Sequence, residues 1–275
     1  MTSWSPDPPP PAEPTWYLGT LGFSYADWAG VFYPSNLATR NYLGHYSRFF
    51  NAAEIDSTFY GTPRADTVKR WLTATPPDFR FCPKVPRGIT HEKGLAAAHL
   101  DMAEFLAVMR ILGEKLGVVL IQLPPTFSVE NAPALTTFLR ELPTDLRFAV
   151  EFRHISWHQN CEKTAHLLRR HAVCWAATEY PRLPRGVTRT ADFLYFRLIG
   201  QHGAFQRHNR VRIDRSANLR WWAEHLQSLT GEVNEIYGFF NNDYAGFGPE
   251  SCSQFKKMIG LPAPDLHPPQ QGKLF

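Results

Sequence analysis

The sequence predicts a single TIM-type (β/α)8 barrel, on three observations. Eight short apolar segments recur along the chain, and seven of them end in or near a charged or amide residue. Helical patterns separate most of them, and alternation of strand with helix argues for a parallel sheet. The chain has 275 residues, which suits one barrel and is short for two full domains.

Residues 1–14 are proline-rich and polar and read as a disordered or extended tail. The barrel is assigned to 15–260, and 261–275 to a flexible tail carrying Pro262, Pro264, Pro268 and Pro269. The strand candidates are 16–21, 52–57, 79–85, 117–123, 147–153, 172–178, 193–199 and 235–241. Thr62 and Pro63 look like an N-cap and first helical position, with Val68, Trp71 and Leu72 following at helical spacing. Asp101 and Glu104 resemble a capping box ahead of the stripe Phe105, Val108, Met109 and Leu112. Ser156 and Gln159 repeat that signal before 164–170, and 216–229 and 249–259 read as the last two helices. Between 180 and 191, Pro181, Pro184 and Gly186 leave room for a short or missing helix only. A doubly wound sheet is the alternative. Its phosphate loop is absent, since GTLGFSYADW after the first strand lacks the full G-x-G-x-x-G spacing.

Hydrophobic residues make up 44% and aromatics 14%, enough for a sizeable core. The formal net charge of +4 permits an anionic partner without requiring one. Cys82, Cys161, Cys174 and Cys252 form no C-x-x-C pair, so they read as small buried residues in a reducing cytoplasm. No signal peptide precedes the first strand, and no apolar run approaches the ~20 residues of a membrane helix.

A barrel of this type gathers its strand ends on one face, where active sites lie. The strand ends here supply Glu54, Asp56, Lys84, Gln122, Glu151, Arg153, Glu179, Arg197, Asn241 and Asn242. Glu151 and Arg153 are two apart and share a strand face. Burial and neighbouring charge tune Glu and Lys for proton transfer, so Glu54 and Glu151 are candidate acid–base groups, and Lys84, Arg153 and Arg197 candidate anion holders. The same residues would also serve as a charge network that fills the top of the barrel. A metal site would draw on Glu54, His91, Glu151, Glu179, His202 and Asp243. Lys84, Arg153 and Arg197 would repel a divalent ion, so no metal and no cofactor is assigned, with a divalent metal as the lesser alternative. Gly200, Gly203, Gly246 and Gly248 follow the last two strands, where barrels bind phosphate, and a helix begins near Pro249. Phe23, Tyr25, Trp28, Phe59, Tyr60 and Trp157 cluster on the same rim, suited either to stacking on a base or sugar or to packing the loops.

The motifs GTLGFSYADW, VFYP, EIDSTFY, FRFCPKVPRGITH, KLGVVLIQLPP, FAVEFRHISW and FNN occur in that order. Together they resemble the YecE-like domain-of-unknown-function family (family 72), over residues 18–259. The resemblance implies a TIM-type barrel and no particular activity. It marks as shared polar positions Tyr25, Trp28, Glu54, Tyr60, Lys84, Arg87, His91, Gln122, Glu151, Arg153, Trp157 and Asn241. The chain departs from the family pattern at Thr178-Glu179-Tyr180-Pro181. It departs again at 197–203, where Gln201-His202-Gly203 replaces the usual R-x-H-G and leaves His202 without a clear role. Residue reading and resemblance together give Glu54, Lys84 and Glu151 as catalytic candidates. Ligand-binding candidates are Tyr25, Trp28, Tyr60, Arg87, His91, Gln122, Arg153, Trp157, Arg197, Asn241 and Asn242.

The chain ends Gln271-Gly272-Lys273-Leu274-Phe275. This Q-x-x-L-F ending resembles the peptide by which bacterial DNA polymerases and repair proteins bind the sliding clamp, with Gln271, Leu274 and Phe275 as its anchors. Three functions are therefore carried forward. The first is a hydrolase or lyase, or a binder, acting on a phosphate-bearing ligand such as nucleic acid in DNA maintenance. The second is a small-molecule isomerase, lyase or hydrolase acting on a sugar phosphate or acidic metabolite. The third is a non-catalytic clamp-binding adaptor.

Overall fold

The computed structural model describes residues 13–266. Nine parallel-paired strands are found: β1 (Thr15–Thr20), β2 (Ala52–Ile55), β3 (Arg80–Pro83), β4 (Val118–Gln122), β5 (Arg147–Glu151), β6 (Cys174–Trp175), β7 (Ala177–Glu179), β8 (Phe193–Leu198) and β9 (Glu235–Phe240). They do not form the single eight-stranded barrel expected. They form three separate sheets, ordered β1-β9-β8-β7, β2-β3 and β4-β5-β6.

The interruptions have local causes. Between β1 and β2, side chains take the place of ladder hydrogen bonds. The Leu18 N–H donates to Asn51 Oδ1 at 2.9 Å, and the Thr20 N–H to the Tyr46 hydroxyl at 2.8 Å. That hydroxyl donates onward to the Ala52 carbonyl at 3.0 Å. Gly19 is required at this approach, because a Cβ there would stand 1.9 Å from the Ala52 carbonyl oxygen. Between β3 and β4, Pro83 has no N–H to give, and the Val118 N–H goes to the Cys82 sulfur at 3.4 Å. Only isolated bridges, Leu21–Glu54, Phe81–Leu116 and Lys84–Leu120, cross these two gaps. The sixth predicted strand is split at Ala176, so that β6 pairs with β5 and β7 with β8.

Among the described residues the α-helices are α1 (Tyr42–Tyr46), α2 (Ala65–Thr73), α3 (His99–Met109), α4 (Ala132–Arg140), α5 (Ile155–Gln159), α6 (Cys161–Arg169), α7 (Ser216–Gln227), α8 (Asn242–Ala245) and α9 (Gly248–Met258). Several starts differ from the sequence reading. Thr62 and Pro63 precede α2, whose N-cap is Arg64. Asp101 lies inside the first turn of α3 and pairs with Lys93 at 2.7 Å rather than capping. Ser156 lies inside α5, where its N–H donates to the ring of the N-cap His154. No helix forms between β7 and β8. None of the described helices is long and apolar enough to cross a membrane.

Strand side chains alternate between two cores, as a two-residue period requires. Val119 and Ile121 join the large core beneath the helices, whereas Val118 and Leu120 join a second core with Ala52, Cys82, Ala149, Cys174 and Tyr195. That second face, continued to the carboxyl ends of the strands, carries the candidate site. Cys82, Cys174 and Cys252 are buried free thiols, and Cys161 is partly exposed.

Candidate functional site

Parity places the charged residues. Glu54 follows Ala52, Glu151 follows Ala149, Arg197 follows Tyr195 and Lys84 follows Cys82, each two positions on and therefore on the same face. Glu54 and Glu151 converge from separate sheets on the Arg197 guanidinium. Arg197 donates from Nε and Nη2 to the two oxygens of Glu54, at 2.8 and 2.6 Å, and from Nη1 to Glu151 Oε2 at 2.5 Å. The Tyr195 hydroxyl donates to Glu54 at 2.7 Å, and Thr178 Oγ1 to Glu151 at 3.0 Å. Arg153 closes on the other oxygen of Glu151 and stacks over Tyr180, with its guanidinium carbon 3.8 Å from the ring centre. Glu54 and Glu151 have no exposure and Arg197 only 1%. Burial on this scale is tolerable only because every charge is paired and hydrogen-bonded.

Electrostatics separate the two carboxylates. Burial pushes Glu54 above the ordinary carboxylate range, against the pull of Arg197 and Tyr195. Glu151 is equally buried, but Arg153 and Arg197 outweigh that burial and bring it down to about 2. The pair thus matches the pattern of two carboxyls driven apart by their surroundings.

Lys84 stands toward the opening. Its ammonium is 3.2 Å from Asp56 Oδ1 and 4.0 Å above the Phe59 ring centre, and its side chain is 8% exposed. Burial lowers its pKa, with Asp56 opposing. His91 packs edge-on to Phe59 and bonds to Thr90 Oγ1 at 2.8 Å. Its pKa falls through burial and then through Lys84, Arg87 and Arg153, which marks a concentration of positive charge at the opening. Arg87 reaches Glu92 at 3.5 Å on the surface, and Gln122 Nε2 contacts the Leu123 carbonyl at 3.5 Å. The Tyr25 hydroxyl, which donates to the Leu21 carbonyl, feels Asp56, Glu54, Asp243 and Tyr60. Tyr60 is 84% exposed at the same rim.

Other candidates are placed differently. Trp28 and Trp157 are buried: Trp28 Nε1 donates to Asn242 Oδ1 at 3.3 Å and Trp157 Nε1 to the Phe127 carbonyl at 2.8 Å. Both pack loops, and neither offers a face to a ligand. Asn241 caps α8 through the Asp243 N–H, and Asn242 Oδ1 accepts the Gly248 N–H at 3.0 Å, closing the start of α9. The glycine-rich rim expected to hold phosphate surrounds the chain's own carboxylate, Asp243, which receives the Gly203 N–H and His208 Nε2, each at 3.0 Å. His202 is exposed and 3.6 Å from Asp243, so His208 fills the closer position. Glu179 accepts from Asn218 and Trp222, each at 2.6 Å, away from the triad. Among the described residues no three His, Cys, Asp or Glu side chains are grouped to hold a metal ion. Gln271, Leu274 and Phe275 lie outside the described residues.

The sequence reading did not single out Tyr195, Thr178 or Tyr180 as members of the site. Parity was the available signal for Tyr195, two positions before Arg197; Thr178 lies one position before the strand-end candidate Glu179, so parity gave no signal for it.

A family model described as "Protein of unknown function DUF72" matches residues 17–273. The UPF0759 protein YecE of Escherichia coli (strain K12) is 36% identical over 138 residues, 50% of this chain and 48% of that protein. The chain thus aligns with about half the length of the curated relatives it matches. Among solved structures, a DUF72 family protein from Thermotoga maritima MSB8 superposes with a TM-score of 0.77 at 32% identity, covering 89% of this chain and 99% of that one. A DUF72 family protein from Enterococcus faecalis V583 gives a TM-score of 0.77 at 24% identity, covering 93% and 99%, and supports the fold alone.

Proposed function

The chain belongs to the DUF72 family, whose description carries no activity, so the reading must come from the site, and we propose that the opening above the Glu54–Arg197–Glu151 triad is an acid–base pocket for an anionic small molecule bearing phosphate or carboxylate. The observation that carries this is Lys84. Its ammonium is almost sheltered from water, faces one half-exposed carboxylate and one aromatic ring, and sits among further cations. Of its three N–H groups, Asp56 occupies one and the Phe59 face a second, leaving one direction toward the opening. A lysine with lowered proton affinity transfers a proton more readily near neutral pH. Arg197, saturated by two carboxylates, holds the geometry. Arg87 and Arg153 supply charge at the rim, and Glu54, the more basic carboxylate, is the second candidate for proton exchange.

The test is a calorimetric binding screen of phosphorylated and acidic metabolites against the wild type, Lys84→Met and Lys84→Arg. The expected result is a wild-type ligand whose affinity falls at least about tenfold in Lys84→Met. Turnover should be lost in both variants, because arginine keeps the charge but gives up no proton. Equal binding by the wild type and Lys84→Met overturns the assignment. The nucleic-acid reading rests on the terminal Q-x-x-L-F and is tested separately, by sliding-clamp binding with and without residues 271–275.

A further inference from the structure

Within the mouth Arg197, Arg153 and Lys84 each have an acidic partner, Glu54, Glu151 or Asp56. At the opposite end, where β4, β5 and β8 begin, lies a cleft of about 740 Å³. Arg140, Arg147, Arg169, Arg170 and His171 line it, against two acids, Asp145 and Asp192. Several of these charges are already used. Asp145 is held by both arms of Arg110, and Arg147 is paired with Glu235 at 2.5 Å. Arg169 donates to the Arg189 carbonyl. The Arg140 and Arg170 side chains make no ion pair or hydrogen bond among the described residues. Both are exposed; Arg140 is the last residue of α4 and Arg170 the C-cap of α6. A helix dipole explains one basic residue at each helix end. It does not explain why both helix ends line one cleft. Arg170 and Arg140 also add to burial in lowering the pKa of His171, so their fields meet on that ring.

We propose that this cleft is a second anion site, which binds a multiply charged phosphate group between Arg140 and Arg170. Like charges held together without a counterion repel, and a bound polyanion removes that repulsion. Guanidinium groups suit phosphate because their N–H donors pair with its oxygens two at a time. The cleft reads charge and not bases: the rings of Phe148 and Phe193 are 3% and 1% exposed and offer no stacking face. The phosphate comes either from a free polyphosphate-type small molecule or from the backbone of a nucleic acid. This inference stands independently of the pocket at Lys84.

The experiment uses the full chain with two probes at low salt: sodium tripolyphosphate by calorimetry and a fluorescein-labelled single-stranded oligonucleotide by anisotropy. The wild type is compared with the charge-reversal pair R140E/R170E, whose exposed positions leave the fold intact by circular dichroism, and with Lys84→Met. The wild type should bind at least one probe, R140E/R170E should bind it at least about tenfold more weakly, and Lys84→Met should bind as the wild type does. Oligonucleotide binding with a log affinity–log salt slope of about −1.4, corresponding to roughly two neutralised phosphates, identifies the backbone source. Tripolyphosphate binding alone identifies the small-molecule source. Binding of neither probe, or equal binding by R140E/R170E, overturns the inference. Loss in Lys84→Met but not in R140E/R170E also overturns it, and moves the anion to the mouth.

Discussion

Replacing Arg197 by methionine removes the one cation that two buried carboxylates share. Three charge-assisted hydrogen bonds disappear, two to Glu54 and one to Glu151. At about 1.5–3 kcal/mol each, their gross loss is roughly 5–9 kcal/mol. Part of this returns, because the guanidinium no longer has to be desolvated and methionine packs well in an apolar site. The expected net cost is about 3–5 kcal/mol, the range found when one partner of a buried pair is removed. The two carboxylates then behave differently. Glu151 keeps Arg153 and Thr178, while Glu54 keeps only Tyr195. Glu54, already raised by burial, rises further and takes up a proton. An acid with a raised folded pKa is destabilising above that pKa, and the penalty fades as pH falls through it. The loss in Arg197→Met should therefore be larger near pH 8 than near pH 5. Adding Glu54→Gln should restore part of the stability and flatten that dependence. Urea unfolding followed by tryptophan fluorescence at both pH values measures each quantity. An unchanged urea midpoint in Arg197→Met, or a loss that does not vary with pH, would refute the reasoning.

Three further outcomes follow from the structure. Glu151 titrates near 2 against an ordinary 4.5, so it contributes about 3 kcal/mol that is present above the unfolded value and lost as pH falls from about 4.5 to about 2; acid unfolding of Glu151→Gln should lack that component. Gly200→Ala should destabilise by about 2 kcal/mol or more, since φ is +74° there and a Cβ would meet the Asp243 carbonyl oxygen at 2.2 Å; a thermal melt matching the wild type would disprove it. Trp157→Ala should cost about 3–5 kcal/mol as a core deletion and leave ligand affinity at the mouth unchanged; weaker ligand binding at full stability would restore Trp157 to the binding surface.

Strand positions were legible because strands buried on both faces read as continuous apolar runs with charged residues near their ends: 118–121 are apolar throughout and alternate only in which core they join. The inward set Glu54, Glu151 and Arg197 was legible for the same reason. Sheet continuity was not. Whether the Thr20 N–H finds a carbonyl or the Tyr46 hydroxyl depends on how a helix 26 residues away docks, and no local pattern encodes that. The single apolar run 172–178 gave no sign that Ala176 would divide it, because both halves are equally buried. The site reading went furthest astray at the rim. Trp28, Trp157, Asn241 and the loop glycines carry the residue types of a ligand cradle, yet their hydrogen bonds are spent on the chain itself, chiefly around Asp243. By sequence Arg197 reads as an anion holder, whereas in the structure Glu54 and Glu151 fill its donor fork.

The Tyr46 hydroxyl has a consequence for assembly. It comes from α1, yet it receives the Thr20 N–H and donates to the Ala52 carbonyl, so the edges of β1 and β2 are satisfied through a helix rather than through each other. Neither edge is complete until α1 has docked. At this junction the helix therefore belongs to the hydrogen bonding of the sheet: the two strands are joined through the oxygen it supplies.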